Sequence, residues 1–152
     1  MESADVDMKE KAKEAGKEAQ KKALVKAYLL KERVVTENTD AARELYNQSR
    51  YGKLLADGRV QLALTEAMYL LERGKIAVAA SRGGKGVSPE QFMKKAAKSQ
   101  QNFWVKYSVF KDIRDRGYII KTALKFGADF RIYDRGVKPG EDHARWILYP
   151  VH

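Results

Sequence analysis

Two side chains of this sequence suit paired proton transfer. The run from Lys125 to Gly136 ends a strand pattern in a phenol, Tyr133. The glycine-flanked stretch after it carries His143, one of two histidines in the chain. A phenol and an imidazole brought together can take a proton at one end of a phosphodiester and return one at the other. That chemistry cuts RNA without a metal ion. Along Asp129–Tyr133, Phe130 and Ile132 share one face, while Asp129, Arg131 and Tyr133 share the other. Tyr133 is therefore expected at the end of a polar edge. Another strand pattern starts near Ala144, and an antiparallel return through Gly136, Pro139 and Gly140 brings His143 back beside Tyr133. Taken singly, a strand-end tyrosine packs and a loop histidine is solvated; only their pairing argues for a site. One histidine beside Glu141 and Asp142 lacks a second neutral ligand, so neither a metal nor any other cofactor is expected.

The composition points the same way. The 152 residues are 44% apolar and carry a formal charge of +10. Residues 1–22 hold six Lys against six Asp and Glu, so the whole surplus lies in residues 23–152. There it interleaves with aromatics, as at Arg131, Tyr133, Arg135, Arg145, Trp146 and Tyr149. This suits a polyanionic partner, RNA rather than a membrane surface. With no cysteine, disulfides and thiolate metal sites are excluded, which fits a reducing cytoplasm or a heat-adapted source. No apolar run approaches the ~18 residues that span a membrane, and the charged N-terminus lacks a signal-peptide core. A cytoplasmic location is expected.

The elements that must position the pair are readable from periodicity and caps. Residues 6–22 place Lys and Glu at i,i+4 spacing around a helix that buries only alanines, so residues 1–22 form a charged helical extension. Residues 23–37 read as a strand pair turning at Lys31-Glu32-Arg33, or as a continuation of the first helix over 23–31. Thr39 or Asp40 caps a helix over about 40–48. Another runs over about 62–73, with Leu62, Ala63, Glu66, Ala67, Tyr69 and Leu70 at helical spacing and Gly74 as the stop. Lys75–Ala79 reads as a strand. Residues 23–79 thus make a small N-terminal α/β domain, and 80–87 a glycine-rich linker. Its glycines lack the spacing of a phosphate-binding loop. Ser88, Pro89 and Gln91 open a helix that is expected to continue to Arg116. Its stripe of Phe92, Ala96, Phe103, Tyr107 and Phe110, widened by Met93, Ala97 and Trp104, reads as core rather than a base-stacking platform. Strands over 118–124, 129–133 and 144–151 complete a C-terminal domain over 88–152.

Several motifs resemble the archaeal tRNA-splicing endonucleases. The run from Tyr118 to Tyr133 is similar to that family's signature, and Lys111–Gly117 to the D-L-R-x-R-G run before it. Upstream, Ala42–Tyr46, Tyr51-Gly52 and Glu66–Lys75 resemble the same family's N-terminal domain. The resemblance covers about residues 33–152, with its motifs in the family's order.

The resemblance implies an α+β (α/β) fold: a small N-terminal α/β domain and a nuclease-like C-terminal domain with a mixed central sheet flanked by helices. It implies metal-independent cleavage of precursor tRNA at bulge-helix-bulge intron junctions, in a homo- or hetero-oligomer, dimer or tetramer, of endonuclease subunits. The family's catalytic Tyr maps onto Tyr133, as general base assisted by nearby cations, and its His onto His143, as general acid. The products would be a 2′,3′-cyclic phosphate and a 5′-hydroxyl. Arg131 and Arg135 are candidate substrate-binding residues. The family's catalytic Lys has no matching position, because the sequence stops nine residues beyond His143. A truncated chain is expected on the ground that an apolar strand left as an open edge invites association. A natural fragment completed by a partner, and a subunit that no longer cuts, are the competing possibilities. A non-catalytic RNA-binding or assembly subunit is the alternative function. A metal-dependent nuclease is weaker, since no acidic pair with ExK spacing lies beside the strands.

Overall fold

The structure, a computed structural model, describes residues 24–122, 130–134 and 146–148. Strands β1 (Val25–Leu30) and β2 (Arg33–Thr36) form an antiparallel hairpin, with Leu30 opposite Arg33 across the Lys31-Glu32 turn. Helix α1 (Asp40–Asn47) begins where the Thr39 hydroxyl accepts the Ala42 N–H at 3.1 Å. Strands β3 (Lys53–Leu54) and β4 (Val60–Ala63) follow, then α2 (Leu64–Glu72), β5 (Ile76–Ala79) and β6 (Gly86–Val87). These strands make one mixed sheet in the order β3-β4-β2-β1-β5-β6, in which only β1 and β5 run parallel.

Helix α3 (Pro89–Ser99) starts with a reciprocal cap: the Ser88 hydroxyl accepts from Gln91 N–H, and the Gln91 amide oxygen from Ser88 N–H. The sequence led us to expect one helix from Ser88 to Arg116; the chain instead breaks after Ser99. Gln100 is extended, and Asn102 is left-handed at φ 61° before α4 (Phe103–Asp115). Asparagine tolerates that conformation better than most residues. The Ser99 hydroxyl also bonds outward, to the Lys31 carbonyl at 3.0 Å. The break lets Phe92 and Ala96 of α3 and Phe103, Tyr107 and Phe110 of α4 all be buried, while Ala97 and Trp104 face solvent.

A second, antiparallel sheet joins β7 (Ile119–Thr122), β8 (Phe130–Tyr133) and β9 (Trp146–Leu148), with β8 central among the described strands. The two sheets share one core. Tyr69 of α2 meets Phe110 of α4 edge-on at 5.6 Å between centroids, and Phe110 lies 6.1 Å from Phe130 of β8. The chain is thus α+β, with a mixed sheet and four helices among the described residues. None of these helices is long and apolar enough to cross a membrane.

Candidate functional site

Strand β8 positions the phenol. Phe130 and Ile132 are buried in the core, and Phe130 packs against α4. Arg131 and Tyr133 belong to the opposite face. There the β7 register sets Lys121 across from Arg131 and Ile119 across from Tyr133. The sequence placed Tyr133 on a polar edge. In the structure it is 3% exposed, and Ile119, also buried, is its cross-strand neighbour. The Nε of Arg131 is buried and has no partner among the described residues. The antiparallel pairing of Ile132 with Trp146 returns the chain at the Tyr133 end of β8. His143 and Arg135 lie outside the described residues. Among the described residues no cluster of His, Asp or Glu could hold a metal ion.

A polar network ties this sheet to the N-terminal one. The Lys121 ammonium donates to the carbonyls of Gly52 at 2.6 Å and Arg50 at 3.1 Å, and lies 3.5 Å from the Glu66 carboxylate. Glu66, itself 5% exposed, accepts from the N–H groups of Gly52 at 2.7 Å and Ala63 at 3.0 Å. The Ala63 contact caps α2, although Ala63 has no side chain to return the bond. Arg114 stacks its guanidinium 4.0 Å above the Tyr51 ring and bonds the Tyr51 hydroxyl, the Ser49 carbonyl and the Tyr118 carbonyl. On the far side of α4, Asp115 accepts from the Tyr69 hydroxyl at 2.6 Å and from Arg73 at 2.5 Å. Burial, and then the bond to Asp115, pushes the Tyr69 phenol up to about 12. The same bond from Tyr69 is the main cause holding the Asp115 carboxyl below its usual range. Burial, and then its bond to Glu72, also raises the Tyr107 phenol.

The sequence reading missed this network, though it left a signal. Glu66 sits on the apolar stripe of α2, and Lys121 interrupts the apolar run of β7. A concave groove of about 650 Å³ lies elsewhere, between α2, α3 and α4, lined by Met68, Met93, Trp104 and Tyr107 with charged residues at its rim. Neither Arg131 nor Tyr133 lines it.

Comparison with known proteins agrees with this architecture. The family model "tRNA intron endonuclease, N-terminal domain" matches residues 25–93, and "tRNA intron endonuclease, catalytic C-terminal domain" matches residues 103–152. The tRNA-splicing endonuclease of Thermococcus onnurineus is 43% identical over 120 residues, covering 79% of this chain and 67% of that protein. That of Methanothermobacter thermautotrophicus is 42% identical over 124 residues, covering 82% and 70%. That of Methanosarcina mazei is 42% identical over 107 residues, which are 70% of this chain but only 30% of that longer protein.

Proposed function

Because this chain belongs to the tRNA intron endonuclease family, we propose that it cuts precursor tRNA at bulge-helix-bulge intron junctions without a metal ion. The ribose 2′-hydroxyl attacks the adjacent phosphorus as Tyr133 takes its proton. The bond to the 5′-oxygen breaks, and His143 protonates that leaving oxygen. The products are a 2′,3′-cyclic phosphate and a 5′-hydroxyl. Arg131, with a buried Nε that has no partner among the described residues, and Arg135 supply positive charge to the phosphate, whose negative charge builds in the transition state. The RNA is recognised through splayed bases and backbone shape rather than duplex sequence. The active species is an oligomer of such subunits.

One observation carries this reading. The catalytic-domain match over residues 103–152 contains both Tyr133 and His143, and Tyr133 is the last residue of β8. The test is cleavage of a bulge-helix-bulge RNA in EDTA, by this chain and by the same chain extended past His152. Cutting should persist in EDTA and fall by roughly 10²–10⁴-fold in Tyr133→Phe and in His143→Ala. A magnesium requirement, or full activity in both variants, would sink the mechanism. RNA binding without cutting in either form would favour an assembly subunit.

A further inference from the structure

We infer that Glu66 and Lys121 are positioning residues, an ion pair between a buried carboxylate and a partly buried ammonium that fixes the β7–β8 hairpin, and with it Tyr133, against the N-terminal sheet. The inference rests on the reading of Tyr133 as the base. Its geometry does not.

Lys121 has three N–H bonds to give and three acceptors in reach: the Arg50 and Gly52 carbonyls and the Glu66 carboxylate. Glu66 in turn takes two backbone N–H groups. Neither group is left unsatisfied, the condition under which a buried pair is tolerated at all. A pair of apolar side chains would usually serve stability as well or better. What the ion pair adds is direction, because its bonds fix one arrangement of the elements it joins. The two carbonyls come from a segment holding Arg50 at φ 61° and Gly52 at φ 70°, both left-handed. The backbone is bent there so that both carbonyls converge on one ammonium.

Strand β7 needs such an anchor. It is an edge strand of the three described, hydrogen-bonded laterally to β8 alone. Arg114 holds the carbonyl of Tyr118, just before the strand begins, and Lys121 holds its other half. Ile119, two residues from Lys121, is the cross-strand partner of Tyr133. A shift of β7 is therefore passed directly to the phenol. Lys121 also faces Arg131 across the ladder, where like charges repel. Glu66 and the two carbonyls draw the ammonium away and offset its charge. Arg131 is then left available for a phosphate.

The test uses Lys121→Met and the double variant Glu66→Gln/Lys121→Met, the second relieving the buried carboxylate that the first leaves without its cation. Three quantities are read: the urea midpoint, kcat and KM on the bulge-helix-bulge RNA, and amide hydrogen exchange. A misplacement of about 1 Å costs up to ~100-fold in rate. Lys121→Met should therefore lower kcat by ~10–100-fold with KM within ~3-fold. Exchange should quicken selectively in Phe130–Tyr133 while α1 stays protected. The double variant should recover the urea midpoint but not kcat. Recovery of kcat together with stability would reduce the pair to a purely structural role and overturn the inference. Unchanged kcat in Lys121→Met, or exchange that rises uniformly over both sheets, would overturn it too. If the wild-type chain cuts no RNA, the proposed function falls, and the exchange pattern decides the positioning claim alone.

Discussion

Gly52 and Gly74 are both left-handed, at φ +70° and +69°, yet replacing them with alanine should have unequal effects. Each substitution forces an L-residue into a conformation that costs about 1 kcal/mol or slightly more. At Gly74 nothing among the described residues lies within 4 Å of the added methyl, so the cost stops there. At Gly52 the new Cβ would sit 2.4 Å from the Gln61 carbonyl oxygen and 2.9 Å from side-chain carbons of Val60 and Leu62. Strand β4 cannot retreat, because it is paired with β3 on one side and β2 on the other. Gly52 cannot retreat either, since its N–H is bound to Glu66 and its carbonyl to Lys121. Overpacking of this kind costs about 1–3 kcal/mol more. The expected loss is ~1 kcal/mol for Gly74→Ala and ~2–4 kcal/mol for Gly52→Ala. In a chain of this size the corresponding falls in Tm are ~2–4 °C and ~4–16 °C. Urea titration with a common slope measures both. Equal losses in the two variants would refute the claim that close approach to β4, rather than the dihedral alone, fixes Gly52. The same variant should also disturb β8, because the segment it strains supplies both carbonyls of Lys121.

Trp104 is 65% exposed, so Trp104→Ala should change stability by no more than ~0.5 kcal/mol. A larger loss in urea would show that α4 packs on a different face. Tyr69 makes folding sensitive to alkali: its phenol is raised from 10.0 to about 12 in the folded protein. The stability it contributes is fully present below pH 10.0 and is lost as the pH rises from there to about 12. Tyr69→Phe should flatten that part of the profile of urea midpoint against pH, and an unchanged slope would contradict it. Asp115 works in the opposite sense. Its carboxyl is held below 3.8, chiefly by the bond from Tyr69. Its contribution is present above that value and is lost as the pH falls through the lowered one. Asp115→Asn should therefore weaken the acid-side dependence, read by the same titration.

The parts of this molecule legible in its sequence are those where local chemistry and tertiary packing agree. Thr39 and Ser88 cap their helices as their residue types require, and the hairpin at Lys31-Glu32 matches the first of the two readings of residues 23–37, a strand pair with a charged turn. The misreadings lie where only long-range pairing decides. Lys53–Leu54 and Gly86–Val87 are strands of two residues with no periodicity to detect, and exist because β4 and β5 offer partners. The helix expected through residue 102 crosses five consecutive polar residues, Lys98 to Asn102, and it breaks there, at a left-handed Asn102 and with Ser99 bonding a distant turn. Tyr133 is the instructive case. Alternation along β8 assigned it correctly to the face opposite Phe130 and Ile132, but alternation gives a face and not its covering. Whether that face is wet depends on what other parts of the chain lie over it, which no pattern within Asp129–Tyr133 encodes. The same logic turns the two charges that spoil apolar patterns, Glu66 in α2 and Lys121 in β7, into the most informative exceptions. Each reads alone as a flaw in its element. Separated by 55 residues and 3.5 Å, they account for each other. A charge that interrupts an apolar pattern is thus a prompt to look for its partner on another element.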